Sequence, residues 1–381
     1  MITIKDRTGQ ILYTSADSLF SRVLATAVAS GTDLTDADLA GQSLINLSLP
    51  KARLSRADLT GASLALTNLA DADLRGSHLS GVNLRGTNLD RADLTDADLT
   101  GADLREAIIE GTNFDGADLT SANLEKIKQI NPTLRASGAT IGLARPNFRG
   151  AILVRTNFTN TRLHATDLSA CAQMSDCDFS GGDLWRTIFS NEQLRGSDFR
   201  GAQLADGQFA SFDLSELDFS RTSFETTNLT GADFTESQLS EAYFRHSKAD
   251  GVNFSGAILR AANLSAARLQ KTDFSNADAF HASFGRSELQ GARFYNTNLG
   301  QADFYHSNLR GAQFVNARLG LADFTEAICR RTDFSGADLS EATLARADLT
   351  EADLAFVNLA GARLGEVNLR VARHLDPAWL R

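Results

Sequence analysis

The residues with the clearest chemical potential in this sequence are carboxylates that recur at a fixed interval. Four aspartates and one histidine stand twenty residues apart: Asp38, Asp58, His78, Asp98 and Asp118. If the chain brings residues twenty apart together, these side chains form an acidic column that attracts the Lys and Arg side chains of a partner. The alternative is turn chemistry, because Asp also hydrogen-bonds the backbone at turns.

A second candidate is a short basic segment that follows the acidic residues. Between residues 126 and 145 the chain has four basic side chains and no acidic one: Lys126, Lys128, Arg135 and Arg145. Residues 31–125 carry 16 acidic and 7 basic side chains, a net charge of −9. The sequence therefore predicts a negatively charged part followed by a basic connector or a distorted coil.

A third group of polar residues lies in the second half of the chain. Its members are His246, His281, Arg286, Tyr305 and His306. We expect them to face outward on a convex surface without a pocket, which favours a protein contact over a catalytic or metal site. The sequence contains no phosphate-binding loop, dinucleotide fingerprint, C-x-x-C or H-E-x-x-H motif. We therefore predict no enzymatic activity, no cofactor and no metal.

Three cysteines do not make a disulfide framework. Cys177 and Cys329 fall at apolar positions of the pattern described below, so we expect them to pack in the core. Cys171 falls in an inserted segment and is expected to be exposed.

The element that must position these residues is a repeat of five, seen in RADLTDADLTGADLREA from Arg91 to Ala107. Five matches neither the helical period of 3.6 nor the strand period of two. Apolar residues nevertheless recur at every fifth position, which we call centres, from Leu34 to Leu124 and from Phe148 to Leu369, with one inserted residue before Met174. A fixed period over most of a chain indicates a repeat architecture.

The unit Ala92-Asp93-Leu94-Thr95-Asp96 resembles the A-(D/N)-L-x-x unit of the pentapeptide-repeat family. The resemblance covers roughly residues 32–371, with one interruption. It implies an all-β fold, a right-handed quadrilateral parallel β-helix in which four units make one coil. The centre and the small residue two before it then point inward and fill the interior.

The resemblance also implies a function. Family members that confer fluoroquinolone resistance resemble B-form DNA and bind type II topoisomerases, so DNA gyrase or topoisomerase IV is the expected protein partner of an acidic rod. The alternative is a structural or scaffold solenoid that docks another protein on its convex sides. A net charge of −10 opposes direct binding of nucleic acid. No membrane segment is expected, and a cytoplasmic protein is the default.

The two ends need separate structure, because an open solenoid end exposes strand edges. We expect a hairpin around Asp6–Gly9, then a helix N-capped by Asp17 or Ser18 and ending at Ala29. Val371, Leu375 and Trp379 form an apolar helical stripe that serves as a cap or as a homodimer contact. The predicted domains are residues 1–31, 32–126, 127–145, 146–371 and 372–381.

Overall fold

The computed structural model describes residues 1–127 and 146–376. Single parallel β-bridges join residues one coil apart and recur at every fifth residue, as in Asp33↔Arg53, Asp38↔Asp58 and Ser43↔Ser63. Twenty residues therefore complete one coil, and the chain winds as a β-helix solenoid. The solenoid predicted from the period of five is confirmed.

The backbone of one repeat shows why this winding is stable. The N–H of Leu59 donates to the carbonyl of His78 at 2.8 Å, and that of Asp58 donates to Ala37 at 2.8 Å. The N–H of Ala62 donates to the carbonyl of Leu59 at 2.9 Å, and this hydrogen bond closes the corner between the two residues. Backbone polar groups are thus paired between coils or within corners, as a buried chain requires.

The centres and the small residues fill the interior. Leu99 is 0% and Ala97 1% exposed. In the second half of the chain, phenylalanine centres stack along their columns: the rings of Phe274 and Phe294 lie 4.8 Å apart and within 1° of parallel. Rings of neighbouring Phe columns meet edge to face, as Phe284 and Phe294 do at 5.8 Å. Such pairs add about 0.5–1.5 kcal/mol each beyond burial.

The corners have a regular geometry of their own. The second residue after a centre has a left-handed backbone, with φ 59° at Leu66 and 57° at Phe356. The side chain at such a corner leans toward the corner twenty residues later. Leu66 Cδ2 lies 2.8 Å from the place that a Cβ on Gly86 would occupy, and Asn316 Oδ1 lies 2.5 Å from the same place on Gly336.

Among the bridges between described residues, two coils depart from the length of twenty. Asn113 pairs with Asn147 and Asn123 with Asn157, so this coil takes 34 residues. The repeats on both sides of residues 128–145 therefore stack directly on each other. One coil later, the parallel strands β3 (Ile152–Val154) and β4 (Gln173–Ser175) pair with an offset of 21, which confirms the inserted residue before Met174.

The N-terminal residues form a hairpin and a helix. Strands β1 (Ile2–Lys5) and β2 (Ile11–Ser15) pair antiparallel, and α1 spans Phe20–Ala29. The predicted helix cap was wrong, because the N-cap is Leu19 and no side chain caps it. Asp17 instead accepts a hydrogen bond from the Leu19 N–H at 3.0 Å, one step before the helix.

The last described residues do not form the predicted helical stripe. A single 3-10 turn covers Leu369–Val371. Arg373 then returns to a parallel bridge with Asp353, so the chain keeps its solenoid winding instead of entering a helix. Trp379 lies outside the described residues.

The chain divides into two compact units, Met1–Asp198 and Phe199–Arg381. The first holds the hairpin, α1 and both irregular coils. The second is built from regular coils of twenty. No helix in the described ranges is long and apolar enough to cross a membrane.

Candidate functional site

The aspartates spaced by twenty lie one above another in the first unit. Parallel bridges join Asp38 to Asp58, Asp58 to His78, His78 to Asp98, and Asp98 to Asp118. We call these five residues the acidic column. Asp38 is exposed and the other four are half-buried. The column ends at Ile152, which pairs with Asp118.

The acidic column differs from its neighbours in its counter-ions. On other columns of the same coils, Arg53 contacts Asp33 at 2.6 Å, and Arg56 contacts Asp36 at 2.8 Å. Arg91 likewise pairs with Asp71 at 2.8 Å. Within residues 1–127 and 146–376, none of the four column aspartates has an ion-pair partner within 4.0 Å. The four carboxylates therefore have no contact ion pair in those residues, although the nearby charges of His78 and Arg7 act on Asp58.

The column aspartates also take part in turn chemistry. The N–H of Thr60 donates to Asp58 Oδ1 at 3.0 Å, that of Thr100 to Asp98 at 3.0 Å, and that of Thr120 to Asp118 at 2.9 Å. Each of these bonds uses one carboxylate oxygen. Turn chemistry thus accounts for the residue type at these positions, and it is compatible with a charged surface.

A cation that the repeat pattern did not predict lies near the start of the column. Arg7, in the turn between β1 and β2, donates its backbone N–H to Asp36 at 3.3 Å. Burial raises the pKa of Asp58, but hydrogen bonds from Thr60 and the charges of His78 and Arg7 outweigh it, so this pKa lies below its ordinary value. No repeat rule identifies Arg7, because its position depends on how the hairpin docks on the first coil.

The basic connector is described only at its first residue. Lys126 Nζ contacts Glu125 Oε1 at 2.9 Å, so its charge is partly neutralised. Lys128, Arg135 and Arg145 lie outside the described residues.

The third group is only partly brought together. The rings of Tyr305 and His306 lie 4.2 Å apart, and the Arg286 N–H donates to the Tyr305 carbonyl at 2.8 Å. His306 Nε2 contacts Glu326 at 2.6 Å instead of another member. His246 lies on the same corner column as Arg286 and His306 but two coils before Arg286, and His281 stands on a different corner column. In the described parts of the chain, no three His, Cys, Asp or Glu side chains could hold a metal ion together.

All three cysteines are buried and reduced. The expectation that Cys171 is exposed was wrong: it is 6% exposed, because the extra residue of the 21-residue coil is accommodated without turning Cys171 outward. Cys177 Sγ donates to the Leu153 carbonyl at 2.6 Å. Burial raises the pKa of the Cys171 thiol and of the Cys177 thiol to about 12.

Comparison with known families agrees with this geometry. The family model described as "Pentapeptide repeats (8 copies)" matches residues 27–61, 67–105, 97–128, 143–171, 172–206, 287–326 and 332–370. A second model, "Pentapeptide repeat region", matches residues 217–294. Together they cover most of the chain, which therefore belongs to the pentapeptide-repeat family.

Solved structures include similar proteins. HetL, a pentapeptide repeat protein involved in heterocyst differentiation regulation from Nostoc sp. strain PCC 7120, is 26% identical over 57% of this chain and 90% of its own, with a TM-score of 0.30. A trypsin-treated form of QnrB1, a plasmid-mediated fluoroquinolone resistance protein, is 19% identical over 71% of this chain and 90% of its own, with a TM-score of 0.26. A search of curated proteins found no match.

Proposed function

We propose that this chain is a non-enzymatic binding protein that presents its acidic column to a cationic, DNA-binding protein. The observation that carries the proposal is the contrast in counter-ions: the column aspartates have no ion-pair partner among the described residues, whereas Asp33, Asp36 and Asp71 are paired with arginine. Unpaired surface charge steers an oppositely charged partner.

The partner class comes from the family resemblance. A type II topoisomerase such as DNA gyrase or topoisomerase IV has a surface that normally receives DNA. Coils about 4.8 Å apart do not match the phosphate spacing of about 3.4 Å along one DNA strand. The partner would therefore recognise charge density and width instead of atomic register.

The test is a supercoiling assay with purified gyrase and with topoisomerase IV, together with binding measured at increasing salt. The fourfold variant Asp38→Asn, Asp58→Asn, Asp98→Asn and Asp118→Asn keeps an oxygen for the turn bonds and removes the charge. We expect binding at low salt to weaken about tenfold or more, with a flatter salt dependence.

A matched control removes four charges elsewhere. Asp233, Asp303, Asp323 and Asp338 each accept the N–H of the residue two positions later, as the column residues do. Their fourfold Asn variant should bind as the wild type does. Equal effects of the two variants would mean that only net charge matters, and no effect of the wild type on either enzyme would reject the topoisomerase proposal.

The second candidate is a scaffold solenoid that docks another protein on its convex sides. The charge of residues 147–369 favours it. They carry 28 acidic and 20 basic side chains, a net charge of −8 over more than twice the length of residues 31–125. Capture of a partner that binds the fourfold Asn variant as well as the wild type would support this function.

Two further expectations remain. The family resemblance implies that the coils wind right-handed with a quadrilateral cross-section, which a crystal structure would test. The default expectation from the sequence is that the chain acts in the cytoplasm, which fractionation of cells that express it would test.

A further inference from the structure

Basic side chains gather on one side of the second unit. This side passes through four consecutive coils, and we call its segments in those coils the basic face: residues 245–250, 265–270, 285–290 and 305–310. Parallel bridges join Lys248 to Arg268 and Arg268 to Glu288, so the segments stack directly on one another. The basic face carries five basic and two acidic side chains, an excess of +3 in a chain whose net charge is −10.

The two acidic side chains have partners within the basic face. Asp250 Oδ2 contacts Arg268 Nη2 at 2.6 Å, and Glu288 Oε2 accepts a hydrogen bond from the Gln270 side chain at 3.0 Å. The other four basic side chains are exposed, and none has an ion pair within 4.0 Å in the described parts of the chain: Arg245, Lys248, Arg286 and Arg310. These four side chains can therefore contact an anionic partner without breaking an ion pair.

The basic face also contains four of the five residues of the third group. His246, Arg286 and His306 lie on its corner column, and the ring of Tyr305 lies 4.2 Å from that of His306. The sequence predicts a protein contact for this group. The unpaired basic side chains beside it favour an anionic surface on the partner.

The excess of positive charge ends at both limits of the basic face. In the preceding coil, Glu225 is the one charged residue on this side. In the following coil, Arg330 contacts Asp348 at 2.5 Å, and Glu326 is contacted by Arg346. The basic face is therefore confined to four coils, which span about 14 Å at a coil spacing of about 4.8 Å.

This length selects the kind of partner. An extended peptide advances about 3.3 Å per residue, so about five residues cover the basic face. A long polyanion such as a nucleic acid would also lie over Glu225, which repels it, and over the paired charges of the following coil. Arginine side chains bind carboxylates through two parallel hydrogen bonds. A short segment with carboxylate side chains matches both the length and the charge.

We propose that the basic face binds a short acidic segment, rich in Asp and Glu, of a partner protein. Carboxylates of that segment contact Arg245, Lys248 and Arg286. The contact does not depend on the acidic column, which lies in the first unit.

The test measures the binding of fluorescein-labelled pentaglutamate to the full-length chain by fluorescence anisotropy at low salt. The wild type should bind this peptide and should not bind pentaglutamine, and added salt should weaken the binding. The double variant Arg245→Gln, Arg286→Gln should bind about tenfold more weakly, because it removes two of the four unpaired cations.

The double variant Arg318→Gln, Arg363→Gln is the matched control. Both arginines are exposed, lie in the second unit outside the basic face, and have no ion pair within 4.0 Å among the described residues. This variant removes the same charge and should bind pentaglutamate as the wild type does. The fourfold Asn variant of the acidic column should also bind normally, so failure of this proposal and failure of the proposed function are distinguishable.

Several results would overturn the proposal. Absence of pentaglutamate binding, or equal weakening in the two double variants, would mean that the basic face is not a site. Duplex DNA that binds more tightly than the peptide, and is weakened by Arg245→Gln, Arg286→Gln, would assign the face to nucleic acid. Salt-sensitive self-association in sedimentation, lost in that variant and in the fourfold Asn variant, would assign it to the acidic column of a second copy.

Discussion

Leu99 illustrates how strictly the interior excludes polar groups. It is 0% exposed and lies between the half-buried Asp98 and the exterior residue Thr100. Leu99→Asp should lower the free energy of unfolding by about 3–5 kcal/mol, because it buries an unpaired charge. Urea denaturation checks this.

The neighbouring position supplies the control. Asp98→Asn should change the free energy of unfolding by less than about 0.5 kcal/mol, since Asn also accepts the Thr100 N–H and points outward. Similar losses in the two variants would mean that the inward and outward positions have been assigned wrongly.

The cysteines give a second prediction for single residues. Burial raises the pKa of Cys171 and of Cys177 to about 12, so the reactive thiolate is scarce at neutral pH. Iodoacetamide should therefore label these cysteines only after denaturation, as mass spectrometry would measure. Rapid labelling of Cys171 in the folded protein would restore the original expectation that it is exposed.

At the scale of the elements, arginine–aspartate pairs along the corners and columns predict acid sensitivity. The Arg75 side chain lowers the pKa of Asp73, and Arg105 does the same for Asp103, in each case against a smaller effect of burial. A carboxyl whose pKa is lower in the folded state stabilises the fold above its unfolded value of about 3.9, and this stability is lost as the pH falls through the folded value.

The thermal midpoint should therefore fall as the pH is lowered from about 5 to 2. A variant with Arg75→Ala and Arg105→Ala should show a shallower fall, because the pKa values of its aspartates return toward the ordinary value. Identical slopes in the two proteins would assign the acid sensitivity to other groups.

Much of this level of structure was predictable from the sequence. Leu99 could be placed in the interior from the period of five, and Asp38 and Asp58 could be placed on one column once the family resemblance implied coils of four repeats. Arg7 near Asp58, Leu19 as the helix cap and the burial of Cys171 were not predictable. They depend on how the hairpin docks and how one coil takes up an extra residue, which no repeat rule contains.

For the whole molecule, the repeat predicts which changes of length are tolerated. Removing residues 249–268 takes out one complete coil of the second unit and leaves every centre inward. This variant should fold with nearly unchanged thermal stability, because solenoid coils contact only their neighbours. Removing residues 249–270 breaks the period and should unfold much of the second unit, as circular dichroism would show.

The core of the solenoid depends on the period of five, whereas the arrangement of its surface residues depends on the twenty-residue spacing of the bridges. A loss of five residues between Asp58 and Asp98 would keep all later centres apolar and inward, yet it would turn every later residue by one side. Asp98 and Asp118 would then leave the line of Asp38 and Asp58 without any loss of core. Gain or loss of single repeats in a gene can thus rewrite the surface of such a protein while its stability hardly changes.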